Sequence, residues 1–310
     1  MAASKTNEST LTVLVAFGAN LLIAIAKSVA ALLTGSASIA AEVAHSWADT
    51  GNEIFLYVAE RKSARGADAT HPLGYGREAY VWSMYAAFGL FAAGAAVSVY
   101  HGVQSLLDPE PASDWAIAYV VLGVAFVLEG VSFLRAYKQA RETAREQHTG
   151  TLNVVLESSN PTLRAVFAED AAALIGLVIA FLGVLLHQLT GSPVYDAVGS
   201  ILVGVLLAIV ALVLINRNRR FLVGQETDPA VSASMVDFLN ARTEIERVTY
   251  LHLEFVGPSR VFLVAAVDLV GNDTETHVAV AMRAVEAALE TNPHIVKAVL
   301  TLSAPADASL

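Results

Sequence analysis

The sequence predicts a membrane-embedded all-α domain of six helices followed by a small α+β domain of order α-β-β-α-β, ferredoxin-like in outline. Three observations carry this expectation. Of the 310 residues, 55% are hydrophobic and only 15% charged, against about 25% charged in soluble domains. The mean hydropathy is +0.56, and the apolar residues gather in runs long enough to cross a bilayer. After Phe221 the composition changes to that of a soluble domain.

Apolar runs of about 20 residues can span hydrocarbon as helices. Six occur, at 11–34, 38–60, 79–106, 115–137, 162–188 and 196–216. The third and fifth hold many small residues ("AAFGLFAAGAA", "AEDAAALIG"), which let helix backbones approach closely. Lysine and arginine set the orientation. Arg61, Lys62, Arg65 and Arg77 follow the second span; Arg135, Lys138, Arg141 and Arg145 leave the fourth; Arg217, Arg219 and Arg220 leave the sixth. The connections "LLDPEPASD" and "HQLTGSPVYD" carry no Lys or Arg. Both termini are therefore expected in the cytoplasm.

The tail begins with an amphipathic helix, "PAVSASMVDFLNAR". Two strands joined at Gly257-Pro258 follow, then the helix "TETHVAVAMRAVEAALETN" and a last strand, "KAVLTL". The expected domains are 1–221 in the membrane and 222–310 in the cytoplasm. Without cysteine, disulfides and thiolate ligands are excluded. A net charge of −10 argues against a nucleic-acid partner. With no G-x-x-x-x-G-K-[ST] motif and no space for an ATPase domain, any transport would draw on a gradient.

The second span is not uniformly apolar. Glu42, His45, Asp49 and Glu53 are spaced three, four and four apart, so a helix lines them up on one face. A charge at that depth costs roughly 2.5–3.5 kcal/mol on insertion scales, a cost that function explains better than chance. An imidazole and a carboxylate one turn apart suit a borderline divalent metal such as zinc. One helix cannot complete a coordination sphere. The fifth span offers the adjacent acids Glu169 and Asp170, of which one is expected as a ligand and the other as a supporting or gating group. Glu53 lies near the cytoplasmic end and can instead snorkel to the interface. Lys27 and Glu129 are isolated charges in the first and fourth spans; Lys27 cannot ligate a cation and is expected to pair with an acid such as Glu42.

These residues carry a resemblance. The stretches "LLTGSASIAAEVAHSWADTGNE", "HPLGYGREAYVWS", "YHGVQSLLDPEP", "VFAEDAAALIGLVIA" and "GSPVYDAVGSILVG" resemble the cation diffusion facilitators, the last four particularly the branch containing the mitochondrial zinc exporter. The resemblance implies a six-helix transporter domain with a cytoplasmic α+β domain that serves dimerisation. It also implies a transport site shared by the second and fifth helices, with His45, Asp49 and Asp170 in ligand positions. Val166 stands where most relatives place a further ligand, so Glu169 or water would replace it. A weaker second site is implied at Asp68 and His71, with Tyr75 where some relatives have histidine; alternatively, Pro72, Gly74 and Gly76 simply shape that turn. The two strand histidines of the relatives fall on Thr249 and Ala265. His252, His277 and His294 remain, and Tyr250 and Phe255 are candidates for a dimer contact or for the core.

The expected function is a secondary transporter exporting a divalent cation, zinc first, in exchange for protons. The metal is cargo and no resident cofactor is implied. Cobalt, iron(II) and manganese are alternatives, because carboxylates accept harder ions. Two other classes are a metal-binding membrane protein that does not transport, and a metalloenzyme using Glu169 as base, although no H-E-x-x-H motif is present. A short, mostly polar N-terminal stretch without an Arg-rich targeting segment points to a prokaryotic inner membrane.

Overall fold

The computed structural model describes residues 2–109, 114–146 and 149–310. The connection "LLDPEPASD" therefore lies partly outside the described residues. Two compact units emerge, one of Met1–Glu60 and Val81–Asn218, the other of Arg61–Tyr80 and Arg219–Leu310.

The first unit is built from long helices: α1 (Ala2–Thr34), α2 (Ala37–Ser63), α3 (Glu78–Ala86) continued through a π-helical turn at Ala87–Phe91 into α4 (Ala92–Leu107), α5 (Trp115–Glu146), α7 (Pro161–Thr190) and α8 (Val194–Leu222). A short helix, α6 (Thr151–Glu157), precedes α7 and was not expected from hydropathy. Among the described residues, five segments are long and apolar enough to cross a membrane: Phe17–Thr34, Glu78–Leu107, Trp115–Arg145, Pro161–Thr190 and Val194–Leu222. The second expected span, α2, has 27 residues, or roughly 40 Å at 1.5 Å per residue. It falls short in apolar content because its stripe is polar, and that stripe is largely buried inside the unit rather than facing outward.

Local chemistry explains the boundaries of α7. Asn160 caps its start, its side chain accepting from Thr162 N at 3.0 Å and Leu163 N at 3.3 Å, with Pro161 in the first turn. Gly191 ends it in the left-handed region at φ 70°. Small residues then let α4 meet α8 closely: a side chain on Gly102 would lie 2.7 Å from Ala197 O, and one on Gly204 2.9 Å from Ala95 O. Aliphatic clusters around Ile39, Leu177 and Val184, and around Phe91, Val203 and Leu207, fill the interior. Large apolar side chains also cover the exterior, Leu32 being 86% exposed.

The second unit holds α9 (Pro229–Asn240), β1 (Ile245–Gly257), β2 (Arg260–Leu269), α10 (Glu275–Leu289) and β3 (Ile295–Leu302). This is the expected α-β-β-α-β order. The sheet runs β1-β2-β3, with β1 antiparallel and β3 parallel to the central β2. Pro258 and Ser259, the latter at φ 54°, make the hairpin turn. Alternation along β2 buries Leu263, Ala265 and Val267 in a core with Leu239, Val285 and Leu289. Residues 61–80 pack here as well. A side chain on Gly76 would clash with Val256 O and lie 2.8 Å from Gly257 Cα, so only glycine permits the approach. Arg77 pairs with Glu254, and Tyr80 stacks on Phe221 with ring centroids 4.9 Å apart.

Candidate metal site

The site begins with the anchoring of α2. Asp196, in the first turn of α8, accepts from Ser36 Oγ at 2.8 Å, Ala37 N at 2.6 Å and Ser38 N at 3.3 Å. A buried carboxylate thus satisfies free amides at a helix start, where negative charge is favoured. Ser38 Oγ in turn donates to Asp196 O at 2.7 Å. This clasp sets the height of α2 against α8, and with it the height of every residue in the polar stripe.

Along α2, Glu42, His45 and Asp49 are buried. His45 Nε2 lies 3.4 Å from Asp49 Oδ1, near enough for electrostatic attraction. Among the described residues, neither ring nitrogen of His45 has a hydrogen-bond partner, and neither does Asp49 Oδ1 or Glu42 Oε1. Buried polar atoms are nearly always satisfied, so four unpartnered atoms along one stretch of helix are unusual. Glu42 Oε2 accepts from Lys27 Nζ at 2.9 Å, both side chains being almost inaccessible. Glu53, a turn beyond, is within 3.5 Å of Asn20 Nδ2 on α1.

The two acids of α7 diverge, as neighbours about 100° apart around a helix must. Glu169 turns toward α2 and accepts from Asn52 Nδ2. Asp170 turns toward α5 and accepts from Ser132 Oγ at 2.8 Å. Asp49 lies in the electrostatic field of Glu169, Glu129, Lys27 and Glu42. Glu129, buried on α5, faces Lys27 and Glu42. Six carboxylates therefore share this interior with one ammonium and one imidazole. In this conformation, among the described residues, no three His, Asp or Glu side chains converge tightly enough to enclose one ion.

The remaining sequence expectations lie in the second unit. Asp68 is occupied by its own loop: its carboxylate accepts from Thr70 N, Thr70 Oγ1, His71 N and Tyr75 OH at 2.7–2.8 Å. These bonds, led by those from Thr70 and Tyr75, hold the carboxyl far below the usual carboxylate range. His71 Nδ1 bonds Thr70 Oγ1 at 2.9 Å, and the His71 ring lies tilted against Tyr75 with centroids 4.0 Å apart. Thr249 Oγ1 meets Ser303 Oγ at 2.7 Å, and Ala265 is wholly buried. His252 is 3.0 Å from Glu226, His277 is 3.9 Å from Asp273, and His294 meets Ser259 O at 2.8 Å. Tyr250 is 52% exposed, while Phe255 packs on Phe221.

Several residues that shape the site escaped sequence inspection. Asn52 lies three residues after Asp49 and seven after His45, so helical spacing alone could have placed it on the stripe. Ser132 follows Glu129 by one turn on α5. Asp196 gave no local signal, because its partners lie about 160 residues away in sequence. Gly176 on α7 stands opposite Glu42 and His45.

Residues 13–223 match the cation efflux transmembrane domain family. The chain is 36% identical over 233 residues to Metal tolerance protein C4 of Arabidopsis thaliana, a match covering 75% of this chain and 51% of that protein. It is 34% identical over 259 residues to the Homo sapiens protein named Proton-coupled zinc antiporter SLC30A9, mitochondrial, covering 84% and 46%. A further relative, Cation-efflux pump FieF of Shewanella oneidensis, is 30% identical over 158 residues, covering 51% of this chain and 50% of that protein. The chain spans about half the length of the curated relatives it matches. With more than half of its residues inside the family match, this multi-pass membrane chain belongs to the cation efflux family, the cation diffusion facilitators.

Proposed function

We propose that the protein is a secondary transporter that exports a divalent metal cation, zinc first, in exchange for protons. One observation carries this: His45 and Asp49 are buried side by side with three unpartnered ligand atoms, opposite the carboxylate of Glu169. An interior of six acids and one lysine is stable only with added positive charge. Protons and a doubly charged cation are interchangeable ways to supply it, because a ligand atom that holds a proton cannot hold a metal. That reciprocity is the chemistry of an antiporter.

In this reading His45 and Asp49 supply the α2 half of the site and α7 supplies the rest. Glu169 takes the α2-facing place that Val166 leaves without a ligand, and Asp170 stays with Ser132 until the helices move. One imidazole among carboxylates suits zinc and tolerates cobalt, iron(II) or manganese. Supporting the choice of zinc and of protons, relatives that match most of this chain are named proton-coupled zinc antiporters. The basic connections after α2, α5 and α8 support termini on the cytoplasmic side of a cell membrane. Tyr250, exposed on β1, supports the C-terminal unit as the homodimer contact.

The test is uptake by proteoliposomes containing the purified chain, across a panel of Zn2+, Co2+, Fe2+, Mn2+ and Mg2+, with internal pH recorded. Zinc uptake accompanied by opposite proton movement is expected. Metal uptake with no pH change refutes the exchange, and no uptake of any ion refutes the transporter.

A further inference from the structure

The imidazole of His45 presents two unpartnered nitrogens in two directions. Nε2 faces Asp49 at 3.4 Å. Nδ1 faces α7 at Gly176, where a Cβ would sit 3.8 Å from it. The same added Cβ would collide with Glu42 Oε1, which is itself buried and without a hydrogen bond. Gly176 thus lets Glu42 Oε1 press against α7 on the Nδ1 side of His45, where both atoms lack a hydrogen-bond partner among the described residues. The other oxygen of Glu42 is held by Lys27 at 2.9 Å; Lys27 is 1% and Glu42 0% exposed. Lys27 also has Glu129 as a charged neighbour, so the ammonium has a second carboxylate to turn to.

We infer that Glu42 Oε1 and His45 Nδ1 form a second divalent-cation position beside Gly176, and that Lys27 is the tethered cation that empties it. The inference rests on the transporter reading above. An ion leaves Asp49 and His45 Nε2 as the ring proton passes through water from Nδ1 to Nε2, which frees the Nδ1 lone pair to receive the ion one turn nearer the start of α2. Glu42 receives it, and Lys27 swings toward Glu129. The return of the ammonium to Glu42 then displaces the ion by direct competition for the carboxylate. A permanently attached positive charge prevents the second position from becoming a trap, since an isolated histidine–carboxylate pair would otherwise retain zinc. Lys27 is therefore a positioning residue for release rather than a ligand.

The experiment compares equilibrium Zn2+ binding, by titration calorimetry of the purified full chain, with Zn2+ flux in proteoliposomes. Lys27→Met leaves Glu42 buried without its counter-charge, so the deciding variant is the neutral double substitution Lys27→Met with Glu42→Gln, checked for a monodisperse gel-filtration peak. Expected is Zn2+ binding within about threefold of wild type together with flux reduced about tenfold or more, the scale on which residues supporting a metal site act. Gly176→Ala, which pushes the Glu42 carboxylate aside without altering charge, is expected to show the same split. Wild-type flux in both variants overturns the inference, because the ion pair would then be structural only. Loss of binding in the double variant overturns it too, since Glu42 would then belong to the first position. His45→Ala separates this failure from failure of the transporter reading: if it retains full binding and flux, the site itself is misassigned, whatever Lys27 does.

Discussion

The two units of the chain bury opposite things. The helical unit hides Lys27, Glu42, His45, Asp49, Glu129, Arg164, Glu169, Asp170 and Asp196 while leaving Leu22, Leu32, Phe88 and Leu107 exposed. The C-terminal unit, among the described residues, buries only Thr227 and Glu286 as polar side chains, around a core of Leu, Val, Ile and Ala. In the sheet domain the interior supplies stability, and water solvates the charges outside. In the helical unit lipid is the outer solvent, apolar exteriors cost nothing there, and the interior is where charge is held. The difference teaches where to look for function: Glu286, buried in the sheet unit, is satisfied by Leu300 N and Arg283, whereas Glu42 and Asp49 in the helices each keep an oxygen without a hydrogen bond among the described residues.

That contrast can be broken by experiment, beginning with the largest effect. His45→Ala or Asp49→Ala should reduce Zn2+ flux to the background of empty liposomes while the detergent-solubilised chain stays folded. Persistent flux in both variants would detach the buried charge from function. Next, Glu169→Gln should weaken Zn2+ affinity by roughly 10–100-fold and Asp170→Asn by less, because Glu169 is the acid turned to α2. Calorimetric affinities in the reverse order would show that α7 rotates before binding.

Substitutions in the second unit should change stability and spare the site. Leu263→Ala removes a fully buried side chain from the central strand and should destabilise that unit by about 2–5 kcal/mol. Gly76→Ala forces a side chain against Val256 and Gly257, costing about 1–3 kcal/mol as overpacking does. Both are read from denaturant midpoints, with Zn2+ affinity unchanged in each; a fall in affinity would mean that the core of the sheet domain governs the ion site. The smallest effect concerns Asp68, whose carboxyl is lowered by its loop hydrogen bonds. A depressed folded pKa stabilises the ordered loop above the unfolded carboxylate value of about 3.9. That contribution is lost as pH falls toward the folded value. Amide protection factors of residues 68–75, corrected for intrinsic exchange, should therefore be high at neutral pH, lower in strong acid, and low at both in Asp68→Asn.

Much of the molecule was legible because its signals are local. Hydropathy located the spans to within a few residues at most ends. A period of two marked the strands, and the Gly257-Pro258 step marked the hairpin. The three-and-four spacing of Glu42, His45, Asp49 and Glu53 put the stripe on one helix face. Other features left no such trace. The short helix α6 is too brief for a periodic signal, and the π-helical turn at Ala87–Phe91 reads as ordinary apolar helix. The attachment of residues 61–80 to the hairpin depends on Gly76 meeting Gly257, and a lone glycine reports freedom without naming what approaches it.

By itself, the sequence determined which segments are helices, which charges lie within them and on which face of α2 they stand, since these follow from backbone periodicity and the cost of charge in an apolar run. Only the tertiary structure decided that Glu169 turns to Asn52 while Asp170 turns to Ser132, that Asp196 clasps the start of α2, and that Glu42 and His45 face α7 at Gly176. Those pairings join residues 38 to 160 positions apart in the chain. Helix rotation and axial offset arise from the packing of whole helices, and no local pattern encodes them.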